Sequence, residues 1–244
     1  MTATLLRRGM LAGLLAGLLA GLFAFAFGET TIDRAIELER IASTENHSGS
    51  TGGGEEELFS RAGQRTGLFF ATGLFGVTLG GVFGLAYAYF RDRLAAASEW
   101  GKSLTFAAAG FLAVFLIPFI KYPANPPAVG DPATIGIRTA SYFTLIGVSL
   151  AVIVLGWLAA RKLRERGIST PVRQILVVAS CAALVFLAFG TLPAPPDPGE
   201  FPAGLLWEFR LSSFGTQTVF WVGLGVVFGL LGERAAGKRE RTAI

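Results

Sequence analysis

Six long apolar stretches follow one another along the chain, separated by short polar or proline-rich segments. A helix needs about 20 mostly apolar residues to cross the hydrocarbon core of a bilayer, so each stretch predicts one membrane-spanning helix. The predicted fold class is therefore all-α, a polytopic membrane helix bundle of six transmembrane helices, with residues 1–244 forming a single integral membrane domain. The stretches cover residues 9–27, 67–90, 103–120, 139–160, 172–192 and 213–231.

The composition supports a membrane location. Hydrophobic residues make up 52% of the chain and the mean hydropathy is +0.56, whereas a soluble chain of this length needs more charge to cover its surface. The six stretches leave no room for a soluble domain. The single cysteine, Cys181, lies inside the fifth stretch, which excludes both a disulfide framework and a thiolate metal cluster.

The positions of lysine and arginine predict the orientation of the helices. If the N-terminus is inside, alternate segments place 14 of the 21 basic residues inside and 12 of the 17 acidic residues outside. Because Lys and Arg favour the cytoplasmic side, we expect a multi-pass protein of the cytoplasmic (inner) membrane with both ends in the cytoplasm. The inner basic residues, which include Arg8, Arg91 and Lys102, are interpreted as membrane anchors and not as nucleic-acid patches.

The first stretch has the features of a retained helix. Arg7 and Arg8 before an apolar run, with Ala24-Phe25-Ala26 after it, also suit a cleavable signal peptide. The run is long for a signal core, however, and glycine recurs every fourth residue from Gly9 to Gly21, which gives a flat face for close helix packing. Similar glycines at positions 76, 80 and 84 and at 225 and 229 predict backbone-to-backbone packing of the second and sixth helices.

Three outer loops have distinct compositions. Residues 28–64 predict an acidic extracytoplasmic loop, partly disordered, with a short amphipathic helix over 29–40 and a disordered low-complexity segment over 43–54. Residues 121–132 contain four prolines and residues 193–208 contain five, which predicts stiff, irregular chain. We expect these two proline-rich loops to cap an outward-facing vestibule.

Candidate metal ligands are carboxylates at the predicted outer level. Glu29 and Asp33 lie one helical turn apart, and Asp131 follows in a later outer loop. Oxygen ligands suit hard or borderline divalent cations, although a solvated acidic face is an alternative. The sole histidine, His47, falls in the low-complexity segment.

The spans contain no Ser/His or Cys/His arrangement, HExxH motif or phosphate-binding loop, so we expect neither an enzyme nor a permanently bound cofactor.

Three arginines oppose the orientation bias. Arg65, Arg138 and Arg210 each open an even-numbered span on the predicted outer side and are followed by small hydroxyl residues. Their position favours ion pairs or hydrogen bonds that hold the outer loops, with acids such as Glu208 as partners, while snorkelling at the interface stays an alternative. Lys121 and Asn125 are expected to orient the vestibule, with Tyr122 at the membrane interface.

Several motifs, taken in order, resemble the CbtA-type cobalt transporter subunit family. The likeness covers nearly the whole chain, and the twelve-residue proline-rich motif is its most specific part. The residues that carry it are Gly28-Glu29 with Ile32-Asp33 and Ala35-Ile36, Ser60-Arg61 with Gln64-Arg65 and Gly67-Leu68, Lys121-Tyr-Pro-Ala-Asn-Pro-Pro-Ala-Val-Gly-Asp-Pro, Thr134-Ile-Gly with Arg138-Thr139, and Phe201-Pro-Ala with Leu206-Trp207 and Phe209-Arg210.

The resemblance implies cobalt uptake linked to cobalamin synthesis in bacteria and archaea. It also implies a partner, a small one-span CbtB-type subunit with a histidine-rich end. In this interpretation Glu29, Asp33 and Asp131 collect the divalent cation, which is substrate and not cofactor, and the bundle passes it inward. A homo-oligomer is compatible with the sequence. The alternative function is a non-transporting membrane scaffold whose outer loops dock a partner protein.

Overall fold

A computed structural model describes residues 2–46, 61–94, 96–126 and 129–242, and over these ranges it is helical with no strand. The main helices are α1 (Thr2–Asn46), α2 (Arg61–Phe90), α3 (Glu99–Gly110), α4 (Ile117–Lys121), α5 (Ile135–Glu165), α6 (Thr170–Thr191) and α7 (Ala203–Thr242). A π-helical segment, Phe111–Leu116, joins α3 to α4, and short 3₁₀ turns cover Arg91–Arg93 and Pro132–Thr134.

The prediction of six membrane-spanning helices is confirmed. Six helical stretches in the described ranges are long and apolar enough to cross a bilayer, and α3, the π segment and α4 together make the third. The spans are Thr2–Leu38, Thr66–Arg93, Glu99–Lys121, Ile135–Glu165, Thr170–Thr191 and Ala203–Gly237.

The chain forms two compact units. Unit 1 comprises Met1–Ala108, Asn125–Ala128 and Phe201–Ile244, and thus contains α1, α2, α7 and most of α3. Unit 2 comprises Ala109–Ala124 and Val129–Glu200, and contains the π segment, α4, α5 and α6. The candidate residues are divided between the two units.

In unit 1, α1 and α2 meet through their glycines, as their spacing predicts. A methyl group added to Gly13 would lie 2.0 Å from the carbonyl oxygen of Gly76 and 2.8 Å from the Cα of Gly80. Gly9 and Gly17 stand in the same relation to the carbonyls of Gly80 and Thr72, at 2.1 Å and 2.2 Å. Since no side chain fits between the helices, the two backbones are in direct contact.

Helix α7 covers the other sides of unit 1 and also uses its glycines. A methyl group on Gly225 would lie 2.8 Å from the Cβ of Ala107 in α3, and one on Gly215 would lie 2.5 Å from the ring of Phe23 in α1. The large side chains that fill the unit include Tyr87, Phe220, Leu224 and Phe228, all fully buried. Gly225 and Gly229 of the sixth span thus pack closely on α3, but the nearest atoms belong to the side chains of Ala107 and Trp100 and not to the backbone that was predicted.

Helix α1 extends well past its apolar stretch. The pattern predicts a separate short helix over 29–40, but α1 continues without a break to Asn46. Tertiary packing explains the continuity, because α1 still lies against α7 at Gly28, where an added methyl group would sit 2.8 Å from Ser212 Oγ, and Thr31 and Ala35 are buried. The segment predicted to be disordered, 43–54, lies mostly outside the described residues.

The third span changes its helical winding before Pro118. The N–H of Ile117 donates to the carbonyl of Leu112, five residues earlier, so the chain is wound as a π helix there. Proline has no N–H, and its ring would collide with the carbonyl four residues before it in a regular α-helix. The wider π turn accommodates the ring without ending the span.

In unit 2, α5 and α6 pack in a limited area. A methyl group on Gly156 would lie 2.6 Å from Cys181 Sγ, and the thiol lies 3.8 Å from the carbonyl of Val152. Of the 22 residues of α6, only Ala188 is buried. Ile175, Val178 and Phe186 of this helix are exposed, as lipid-facing residues of a spanning helix are.

Candidate functional site

The predicted outer end of unit 1 contains a hydrogen bond between the proline-rich loop and α7. Arg210 Nη2 donates to Asn125 Oδ1 at 3.0 Å, and both side chains are half-buried. Arg210 Nε is buried without a hydrogen-bond partner in the described ranges. Asn125 is thus held at the helix by a charged donor, and this is the contact that a loop-fixing role requires.

Glu208, two residues before Arg210 in α7, reaches α1 instead of the loop. Its Oε2 lies 3.7 Å from Arg34 Nη1, but the two side chains are 55% and 68% exposed. Water screens a pair of this kind, so its contribution to stability is small. The side chains of Gln64 and Arg65 lie outside the described residues, and their predicted role stays a prediction.

Glu29 and Asp33 share one face of α1, since residues four apart in a helix are neighbours. Both side chains are half-buried, whereas Thr31 and Ala35, about half a turn around the helix from them, are buried. Because Gly28 and Ser212 show where α7 lies, the two carboxylates are on the side of α1 directed away from α7.

In unit 2, Lys121 and Tyr122 fasten the end of the third span to the end of α6. Lys121 Nζ donates to the carbonyl oxygen of Phe189 at 2.7 Å, in the last turn of α6, where helix carbonyls lack internal donors. The Tyr122 hydroxyl donates to the carbonyl of Pro193 at 2.7 Å. Burial raises the pKa of the Tyr122 hydroxyl, which keeps it protonated as a donor.

Asp131 forms a turn before α5. Its Oδ1 accepts from the N–H of Ala133 at 2.8 Å, and its carbonyl accepts from the N–H of Thr134 at 3.0 Å and from Arg138 Nη2 at 3.3 Å. Gly130 has a φ of +93°, and a methyl group on it would lie 2.5 Å from Arg138 Nη1. The turn therefore requires glycine before Asp131 and leaves the aspartate side chain exposed.

The predicted metal ligands belong to different units: Glu29 and Asp33 to unit 1, and Asp131 to unit 2. Within the ranges that the structure describes, no group of three His, Cys, Asp or Glu side chains is close enough to hold a metal ion. The ligand assignment of these three acids stays a prediction. His47 falls outside the described residues.

The sequence analysis missed a cluster of charges at the predicted inner end of unit 1. Arg8, Arg91 and Lys102, interpreted as separate anchors, all lie within 4 Å of the carboxylate of Glu99. The negative charge of Glu99 could have indicated the cluster, because Glu99 is an acid on a predicted side that is mainly basic. Sequence spacing could not reveal the convergence, because the three cations come from three different elements.

Comparison with known proteins identifies the family. Residues 2–233 match a family model described as Probable cobalt transporter subunit (CbtA). No curated protein and no solved structure matches the chain. The family match runs through all six spans and both proline-rich loops, in agreement with the resemblance in the motifs. The chain therefore belongs to the CbtA family, whose members are probable cobalt transporter subunits.

Proposed function

We propose that this chain is the subunit through which cobalt crosses the cytoplasmic membrane on its way into the cell, with both chain ends in the cytoplasm, and that the uptake serves cobalamin synthesis. The observation that carries the proposal is the family match over residues 2–233 of a chain with six spanning helices. Spanning helices satisfy their own backbone hydrogen bonds in lipid, and a bundle of six can enclose a polar pathway.

The proposed orientation is supported by the connection between α5 and α6. Arg161, Lys162, Arg164 and Arg166 are exposed there, with Glu165 as the single nearby acid, 3.2 Å from Arg161. A short basic connection of this kind stays on the cytoplasmic side during insertion. Counting spans from this point puts both termini on the same side.

We propose that Glu29 and Asp33 of unit 1, and separately Asp131 of unit 2, attract the cation on the predicted outer side. Two carboxylates one turn apart supply oxygen ligands at the spacing that a divalent cation can bridge, and the exposed carboxylate of Asp131 can attract the ion to the surface. Lys121, Tyr122, Arg138 and Arg210 hold the neighbouring loops by the hydrogen bonds described above. In this proposal the two proline-rich loops shape the entrance for the cation.

A one-span partner with histidines would complement this ligand set. Cobalt(II) is a borderline cation that binds imidazole well, and the sequence contains one histidine only. Imidazole ligands from the partner would complete a coordination shell that begins with the carboxylates of this chain. A subunit of a transporter is expected to work with other chains in the bilayer, and the family description names such a subunit.

Uptake of radioactive cobalt by cells that express the chain and its partner tests the proposal. We expect Glu29→Gln combined with Asp33→Asn to lower uptake at least about tenfold, a loss typical of metal sites that lose supporting groups. Asp131→Asn separates the charge of Asp131 from its role in the turn, because an asparagine oxygen can still accept from Ala133 and preserve the turn while the charge is lost.

Glu200→Gln is the matched control, since it removes an exposed acid from a predicted outer loop without touching the proposed ligands. Its uptake should equal that of the wild type. Wild-type uptake in all the acid variants would refute the ligand assignment. Absence of cobalt uptake by the wild-type chain, with and without its partner in liposomes, would refute transport itself and support a scaffold.

A further inference from the structure

Glu99 is the centre of a charged cluster at the predicted inner end of unit 1. Its Oε1 accepts from Arg91 Nη2 at 3.0 Å and lies 3.8 Å from Lys102 Nζ. Its Oε2 accepts from the Tyr87 hydroxyl at 3.3 Å and lies 3.9 Å from Arg8 Nη1. The Glu99 side chain is only 16% exposed. We call these five residues the Glu99 cluster.

The Glu99 cluster joins the ends of three spans, and α7 covers it. Arg8 belongs to α1, Tyr87 to α2 and Glu99 to the first turn of α3. A methyl group on Gly232 of α7 would lie 3.1 Å from both Arg8 Nη1 and Glu99 Cβ, so α7 packs closely on the cluster at this glycine. Next to Gly232, the carboxylate of Glu233 accepts from the N–H of Trp100 at 2.9 Å.

Next to the cluster, further along α3, the interface between α3 and α7 is closely packed. Ser103, one turn after Glu99 on the same face of α3, is fully buried and donates from Oγ to the carbonyl of Gly225 at 2.7 Å. Gly229 packs against Trp100, with 3.0 Å between an added methyl group and the indole ring. A reagent from the inner side could therefore reach Ser103 only if the cluster were open.

The contacts of the cluster differ in kind from those of the α1–α2 seam. The glycine contacts there lose their packing entirely when the helices separate, because lipid or water cannot follow the shape of the backbone. When charged side chains at the edge of a membrane separate, water can replace part of the stabilisation that each ion pair loses. The end of the α3–α7 seam is therefore better suited than the α1–α2 seam to open and close.

The charges also oppose the passage of a cation while the cluster is closed. Three cationic groups lie within 4 Å of one carboxylate. Two further acids, Asp92 near Arg91 and Glu233 on the backbone of Trp100, lie at the periphery of the cluster. A divalent cation that approached from the bundle would meet positive side chains, and such groups act as electrostatic barriers in membrane pathways.

We propose that Glu99 is the latch of an inner gate: its contacts with Arg8, Tyr87, Arg91 and Lys102 close the predicted cytoplasmic end of unit 1, and their release opens it. The proposal rests on the proposed function in two respects: the cytoplasmic location of this end and the ion that passes it. The contacts of Glu99 are the same whichever ion is carried.

Thiol labelling tests the latch without any use of cobalt. Cys181→Ala gives a cysteine-free chain, and Ser103→Cys adds a reporter one turn behind the latch. The full chain is placed in inside-out vesicles and treated with a membrane-impermeant thiol reagent. With Glu99 in place, we expect slow labelling. Glu99→Gln removes the negative charge and should raise the rate at least about tenfold, because three cations then share a partly buried space with acids only at its periphery.

Two controls separate a gate from general loosening. Ala20→Cys places a second reporter on α1, about 18 Å from Arg8 at about 1.5 Å per residue, where Ala20 is buried. This reporter should stay protected in the Glu99→Gln variant. Glu165→Gln breaks the exposed Arg161–Glu165 pair and should leave labelling at Ser103→Cys unchanged.

Tyr87→Phe is the milder variant, should Glu99→Gln fail to fold. It removes one hydrogen bond to the latch and should raise labelling about twofold to threefold. Labelling at the wild-type rate in whichever of these variants folds would overturn the proposal, and so would equal acceleration at the Ala20→Cys reporter. Cobalt uptake by the wild type is measured separately, so failure of the proposed function would leave the labelling result interpretable.

Discussion

The repeated glycines of α1 and two glycines of α5, Gly136 and Gly147, lie in opposite surroundings. In unit 1, a methyl group on Gly13 would collide with the backbone of α2. In unit 2, Gly136 and Gly147 have nothing within 4 Å of the position of such a group. The pattern explains the difference, since the α1 glycines repeat every fourth residue and face an equally regular set on α2, whereas Gly136 and Gly147 are isolated. A repeated glycine face predicts contact between helices in lipid, whereas a lone glycine can lie in contact, as Gly156 does, or in open space, as Gly147 does.

The two units also differ in where their contacts lie. Unit 1 is held along the length of its spans by backbone contact and by buried aromatic side chains such as Phe220 and Phe228. Unit 2 has polar ties at the ends of its helices, from Lys121 to Phe189 and from Tyr122 to Pro193, while α6 is mostly exposed along its length. We therefore expect unit 1 to be sensitive to changes inside the spans and unit 2 to changes at the loops.

Alanine at Gly13 should have the largest effect. Its methyl group would lie 2.0 Å from the Gly76 carbonyl oxygen, so α1 and α2 must separate, at a cost of more than about 3 kcal/mol in the free energy of unfolding. Alanine favours a helix over glycine by about 0.5–1 kcal/mol, so Gly147→Ala, with open space around it, should be neutral or slightly stabilising. Thermal unfolding of the purified chain in detergent measures both.

Gly13→Ala and Gly147→Ala are expected to change the free energy of unfolding in opposite directions, which makes the comparison between the units testable. A general effect of the extra methyl group on insertion or on helix propensity would move both variants in the same direction. Equal destabilisation by Gly13→Ala and Gly147→Ala would contradict the claim that α1 and α2 meet through their backbones.

Loss of the Lys121 ammonium should have an intermediate effect. Lys121→Met keeps the length of the side chain but removes the donor to the carbonyl of Phe189, and hydrogen bonds from charged groups contribute about 1.5–3 kcal/mol. We expect a fall in the midpoint of thermal unfolding and faster proteolysis of the 193–200 loop. Lys162→Met, which removes an exposed lysine at the other end of unit 2, is the control and should change neither.

Much of the architecture could be predicted from the sequence because lipid imposes a simple rule on length and polarity. The six spans follow from apolar stretches, and the helix contacts of unit 1 follow from repeated glycines. The continuation of α1 to Asn46 did not follow, since its outer part is polar and is held by packing on α7 at Ser212. The same holds for the start of α7 at Ala203, within the region expected to be loop.

The candidate site was predicted in part. The sequence indicated that Lys121, Asn125 and Arg210 belong to loop attachments, because charged and amide groups at helix ends need partners. It did not indicate that Lys121 would donate to a carbonyl of α6, since every residue has a backbone carbonyl and the sequence does not distinguish among them. It also did not indicate that Arg210 would donate to Asn125, which lies far from it in the chain. The Glu99 cluster was missed for a related reason: Arg8 is far from the others in the chain, and Arg91 and Glu99 meet only because the chain turns between α2 and α3.

The smallest effect is expected at Tyr122, the second tie of unit 2. Tyr122→Phe removes a neutral hydrogen bond to Pro193 and should cost about 0.5–1 kcal/mol near neutral pH. Burial raises the pKa of Tyr122 above the ordinary 10.0, so the folded protein favours the protonated form. The resulting stability is fully present below pH 10.0 and is lost as the pH rises through the higher pKa of the folded state. The unfolding midpoint of the wild type should therefore fall more steeply above pH 10.0 than that of Tyr122→Phe, and parallel curves would show that the hydroxyl contributes nothing to the tie.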